Sequence, residues 1–311
     1  QNTMTWASAS IHDCDVESYL LVFDGANGAH ALNPGVMCHE MMHALGAYDL
    51  YSNGSLNPVG KWDLMSDNQT TPQGMTAYMR HNYGRKWGNW IPEIKTLTEP
   101  GTYTINPIYS ATADDVAYII KPDQKRQEYF MVEYRRKEGW DATIPSSGLV
   151  CYRINPDVSS NLSASKFEVY VFRPDGSTTA KGSIEKANFN ATVRRSQFGV
   201  DNTYYPFYTD GTRADFALTD IGKADADGIT FTLSFPTAGI AATDTGCSLN
   251  YDPASMTVRA MTGTRIGVYA PSGMLVASGT GTADISHLPS GVYILRGSAS
   301  DGSSSVLKIR K

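Results

Sequence analysis

His39 and His43 stand four residues apart with Glu40 beside the first, in the run His39-Glu40-Met41-Met42-His43. On an α-helix that separation puts both imidazoles on one face about one turn apart, with Glu40 projecting next to them. Zinc needs neutral nitrogen donors that converge on a tetrahedron. To cleave a bond with water it also needs a carboxylate near enough to take the water's proton. Gly46 lies three residues beyond His43, and Asp49 three beyond that. A glycine can adopt the left-handed backbone that ends a helix sharply, which carries Asp49 back toward the same point. The spacing therefore predicts His39, His43 and Asp49 as zinc ligands, a fourth position left to water, and Glu40 as general base. Asp63 and Asp67 are alternative third ligands, in which case Asp49 only brackets the loop after the helix. The plain reading of the same residues is a helix whose histidines face solvent.

Other residues invite weaker readings. His12 and His30 are isolated and read as surface or hydrogen-bonded histidines. Cys38 precedes His39, but adjacent helical positions point some 100° apart; it reads as a small buried residue or half of a disulfide. The four cysteines, Cys14, Cys38, Cys151 and Cys247, form no CxxC pair and allow two disulfides without fixing partners. Tyr78 and Tyr83 read as packing residues. Lys223–Gly228, "KADADG", is too short for a calcium loop of the EF-hand kind and reads as a hairpin turn.

The elements that must hold such a site follow from the texture of the 311-residue chain. Residues 1–92 carry the helical signals and nearly all of the histidine. Residues 93–236 change to short alternating or apolar runs, "GTYTINPIY", "YFMVEYR", "GLVCYRI" and "ITFTLSF" among them, punctuated by Gly, Pro, Asp and Ser. That is the pattern of an antiparallel β-sandwich. After the small-residue stretch Pro236–Gly246, residues 237–311 repeat the β texture between "PSG", "LPSG" and "SDGSS" turns, as a second, smaller sandwich does. The expectation is an α+β multidomain protein. A formal net charge of -5 lacks the Lys/Arg excess that a nucleic-acid partner demands. No run of eighteen apolar residues is present to span a bilayer.

Beyond this residue reading lies a resemblance. The pattern HExxHxxGxxD, its continuation "DLY" and the later "KWDLMS" resemble the immune inhibitor A family of secreted, metzincin-like zinc metallopeptidases. The helical "GMTAYMRHNYGRKWGNW" and the β-region "EYFMVEYRRKEGWDATIPSSGLVCYRIN" are similar to that family as well. The resemblance implies that Met65 fills the methionine turn beneath the metal and that the substrate is a protein or peptide. Many metzincins place a tyrosine soon after that turn; "MSDNQTTP" holds none, so no phenolic donor is assigned. Because 38 residues precede the HExxH run, the upper wall of the cleft is expected to be incomplete. At the other end, "LPSGVYIL" and the basic finish "LKIRK" resemble the C-terminal sorting domain of the type IX secretion system of Bacteroidetes. That implies a bacterial protein, secreted or held at the cell surface, with the secretion machinery as a partner. The expected activity is zinc-dependent endopeptidase. The alternative is a catalytically inactive surface protein that binds a glycan or host protein.

Overall fold

The computed structural model describes residues 3–11, 14–21, 33–84, 88–110, 114–201, 204–224, 227–235, 249–253, 255–299 and 303–311. His12, His30, Trp87, Cys247 and the stretch 236–248 lie outside them, as do Asp225 and Ala226 of the "KADADG" turn. The chain divides into two compact units, Gln1–Phe235 and Pro236–Lys311. Among the described residues it is rich in β-sheet and carries two α-helices. Among the described residues no helix is long and apolar enough to cross a membrane.

The first unit opens with an antiparallel pair, β1 (Thr3–Ile11) and β2 (Cys14–Leu21), whose register slips between Trp6 and Ala9. Helix α1 (Pro34–Ala44) begins where sequence rules say it should. The Asn33 side chain accepts from the N–H groups of Gly35 and Val36, and Pro34 supplies a first residue that needs no donor. Its end is closed by two backbone bonds, Gly46 N to His43 O and Ala47 N to Met42 O, with Gly46 at φ +93°. Helix α2 (Ala77–Gly84) follows the buried single turn Gly60–Trp62.

A six-stranded sheet then forms the middle of the unit. Its order is β3 (Lys95–Leu97), β5 (Ala117–Ile120), β6 (Tyr129–Arg135), β7 (Gly148–Ile154) and β8 (Val169–Val171), with β9 (Asn188–Phe189) also paired to β7. All of its pairings are antiparallel except β3 with β5. Successive strand residues face opposite sides, and β6 and β7 are apolar on both. Phe130, Val132, Tyr134, Leu149 and Cys151 enter one core, and Met131, Val150, Tyr152 and Ile154 the other.

The first core is closed by a second sheet, β10 (Ala217–Thr219), β11 (Ile229–Ser234) and β4 (Gly101–Ile105), through contacts rich in aromatic rings. Onto the second core pack Met42, Leu50, Trp62, Met65, Tyr78 and Met79. The residue-92 boundary expected from composition thus lies inside one unit, whose sheet is covered on one face by strands and on the other by the helical segment.

The second unit is one seven-stranded antiparallel sheet. Its order is β12 (Leu249–Asp252), β13 (Thr257–Ala260), β16 (Thr282–Asp284), β15 (Leu275–Thr280), β14 (Arg265–Tyr269), β17 (Val292–Ser298) and β18 (Ser304–Arg310). Its outermost strands, β12 and β18, come alongside each other, so a single sheet folds over its own core of Val258, Ile266, Val268, Ile285 and Leu295. The "PSG" turn sits between β14 and β15 with Gly273 at φ +85°, a conformation that glycine takes without strain.

Candidate metal centre

Helix α1 buries little of itself, Gly35, His39 and Met42, so His39 is set into the fold while Cys38 stands exposed. Cys38 is a free thiol, as is the buried Cys151. The expectation of a buried or disulfide-bonded Cys38 is corrected by the helix's rotation, which turns that position outward.

The two imidazoles meet edge to face with centroids 4.9 Å apart. Each is pinned through Nδ1 to a backbone carbonyl, His39 to Leu64 at 3.1 Å and His43 to Ala47 at 2.8 Å. A carbonyl can only accept, so each Nδ1 carries the proton and each Nε2 is turned to the other side. Both Nε2 atoms face one oxygen, Asp49 Oδ1, at 3.1 Å and 3.3 Å. The three ligand atoms lie within 4.8 Å of one another.

Asp49 reaches this position because its loop is held from two sides. Leu50 N donates to Met65 O at 2.8 Å, and Asn161 N donates to Asp49 O at 2.8 Å. The Asn161 side chain then donates to Leu50 O and to Val169 O, and accepts from Val169 N. Met65 is fully buried and its N–H is fixed by Asp63 Oδ1 at 2.8 Å. The strip Asp63–Met65 therefore supports both the first histidine and the carboxylate loop.

Three acceptors converge on a point with no donor between them. Asp49 Oδ1 is buried and takes no well-formed hydrogen bond. In a four-coordinate site with bonds of about 2.0–2.1 Å, neighbouring ligand atoms stand about 3.3 Å apart. Two of the three separations, 3.1 Å and 3.3 Å, match that edge and the third lies within 4.8 Å, so the donor set can close on a small divalent cation. The electrostatics agree. Burial pushes the Asp49 carboxyl up, but the two imidazoles outweigh it and hold the carboxyl well below the usual range. Burial opposes charge on His39, yet Asp49 and the Leu64 carbonyl raise its pKa. Asp49 is the largest influence on His43 and raises it too. The pocket calls for positive charge.

Glu40 is half-buried, and its carboxylate acts electrostatically on both His43 and Tyr51. Tyr51 ends the "DLY" run that follows the HExxHxxGxxD pattern, but the sequence assigns it no role. Its ring lies nearly parallel to His39, centroids 6.4 Å apart and planes 25° apart.

The alternative ligands are elsewhere. Asp63 is wholly buried and accepts from the N–H groups of Met65 and Thr76. Asp67 accepts from the Gln69 amide. Tyr78 and Tyr83 both donate to Glu168 Oε1, at 2.8 Å and 3.2 Å, and tie α2 to the sheet. Sequence reasoning also missed Asn161, and no motif marks the Leu64 and Ala47 carbonyls, because any residue type presents one.

Beside α1 lies a largely apolar cavity of about 590 Å³, lined by Cys38, Met42, Leu64, Gln73, Trp90 and Trp140 among others. Leu64 lines this cavity and its carbonyl holds His39 Nδ1, but His39, His43 and Asp49 themselves do not line it. Comparison of the chain with protein-family models, with curated proteins and with solved structures finds no match.

Proposed function

We propose that the chain is a secreted zinc-dependent endopeptidase of metzincin-like type. The observation that carries this reading is the convergence of His39 Nε2, His43 Nε2 and Asp49 Oδ1, with Glu40 near enough to act electrostatically on His43. His39, His43 and Asp49 would hold the ion, and the Nδ1 contacts to Leu64 and Ala47 fix the tautomer that metal binding needs. A bound zinc ion would supply a Lewis acid that lowers the pKa of water to about 7 and polarises a carbonyl oxygen.

Glu40 takes the proton that water loses as the water oxygen bonds to the peptide carbonyl carbon. It returns that proton to the amine nitrogen as the C–N bond breaks, leaving a carboxylic acid and an amine. The turn residues of the second unit support, through the sorting-domain resemblance, delivery to the bacterial surface.

The test is metal content by mass spectrometry of protein purified without chelator, with casein hydrolysis before and after chelation. The expected result is one zinc per chain and hydrolysis that stops on chelation. Glu40→Gln is expected to keep the zinc and lose about 10²–10⁴-fold in kcat. Zinc without hydrolysis in the wild-type chain favours the inactive binding protein, and absence of zinc removes the peptidase reading.

A further inference from the structure

Tyr51 occupies a position that the ligand roles leave unexplained. The backbone just before it is clamped, Leu50 N to Met65 O and Leu50 O to the Asn161 amide, so the residue leaves the ligand loop in a fixed direction. Its ring lies nearly parallel to His39, and its hydroxyl donates a hydrogen bond to Asp49, with Glu40 acting on it electrostatically. Tyr134 and Tyr152 are wholly buried, whereas Tyr51 is 41% exposed, so solvent and a ligand can reach it.

We propose that the Tyr51 hydroxyl donates a hydrogen bond to the carbonyl oxygen of the scissile peptide bond as that oxygen becomes negative. The inference rests on the endopeptidase reading and assigns it a catalytic residue. In hydrolysis the carbonyl π pair moves onto oxygen while the water oxygen bonds to carbon, and the pair returns when the C–N bond breaks. A neutral donor fixed beside that oxygen stabilises the charged stage more than the substrate and so lowers the barrier. A phenol is protonated at neutral pH and so can act as a donor there.

Tyr51→Phe keeps the ring on His39 and removes only the hydroxyl. Zinc-loaded wild type and variant are compared in three measurements: zinc affinity by chelator competition, kcat and KM on a quenched-fluorescence peptide, and calorimetric affinity for a phosphinic peptide that mimics the tetrahedral stage. The expected result is a loss of about 10²-fold in both kcat and phosphinic-peptide affinity, with KM within about twofold and zinc affinity unchanged. Unchanged phosphinic-peptide affinity overturns the proposal. So does a fall in zinc affinity that accounts for the lost activity, which would make Tyr51 a positioning residue for Asp49. If the wild type holds zinc but cuts nothing, the phosphinic-peptide comparison still decides the role of Tyr51. If it holds no zinc, the metal measurement shows that the peptidase reading has failed and takes this inference with it.

Discussion

Gly46 stands where the chain leaves α1, at φ +93°, and nothing lies within 4 Å of the place a Cβ would occupy. The penalty for a side chain there is therefore in the backbone alone, about 1 kcal/mol. The same turn presents the Ala47 carbonyl to His43 and swings Asp49 inward. Gly46→Ala is expected to lower the melting temperature of the first unit by about 2–4 °C and to weaken zinc binding, measured by calorimetry and chelator competition. Asp49→Ala is expected to abolish stoichiometric zinc at micromolar metal while leaving the fold intact, since the carboxylate Oδ1 makes no well-formed hydrogen bond inside the protein. Retained zinc in that variant would point to a different third ligand. The histidine pair is legible in the sequence because a helix converts a spacing of four into proximity. Asp49 is legible only through Gly46, whose freedom licenses the turn. Tyr51 was not, because its role depends on where a ring comes to rest after that turn.

The strip Asp63–Met65 and helix α2 are anchored to the central sheet by charge rather than by apolar contact alone. Arg135 is wholly buried, and its guanidinium bonds to both oxygens of Asp141, to Glu133 Oε1 and to the carbonyls of Trp62 and Gly74. Glu133 Oε2 accepts from Ala77 N at the start of α2 and from the Tyr152 hydroxyl. Arg135→Met leaves two buried carboxylates without their partner, and the expected loss is about 3–5 kcal/mol in urea unfolding. Asp63 adds a pH dependence. Burial raises its pKa from 3.8 to about 6, against the pull of the Thr76 and Met65 N–H groups and Arg135. A carboxyl raised on folding stabilises the folded chain in full below its unfolded value, and that contribution is lost as pH rises through the folded value. Between pH 4 and pH 7 the unfolding free energy of wild type is thus expected to fall, relative to Asp63→Asn, by on the order of 2–3 kcal/mol. A difference that does not change with pH would show that Asp63 ionises normally in the fold. None of this network could be read from sequence. "YFMVEYR" shows a buried strand with two charges in it, and only the folded neighbours reveal that Glu133 and Arg135 face the helical layer.

Over the whole chain, composition marks the change of texture near residue 92, but the fold does not divide there. Met65 and Trp62 share a core with Met131, Val150 and Tyr152, so the helical segment has no apolar support without the sheet. The structural division comes at Phe235 and Pro236. A chain of residues 1–235 is expected to keep its thermal transition and its zinc, and one of residues 1–92 to keep neither, as read by calorimetry and metal analysis. The buried strands of the second unit were legible as short apolar runs between glycine turns. That one sheet folds over itself was not, since strand order depends on pairings between distant segments. Asn190 and Asn161 also form N-x-S/T sequences, yet both are buried, and Asn161 is bonded at both ends of its amide. The Asn161 clamp has a consequence in time. The chain emerges from the ribosome in order, and the HExxH turn is complete long before the residue that locks Asp49 in place, 111 positions after Leu50, has been made. Loop closure over that distance follows sheet formation rather than preceding it. The centre is therefore assembled late, and the growing chain carries His39 and His43 for a long stretch of synthesis before Asp49 is held beside them.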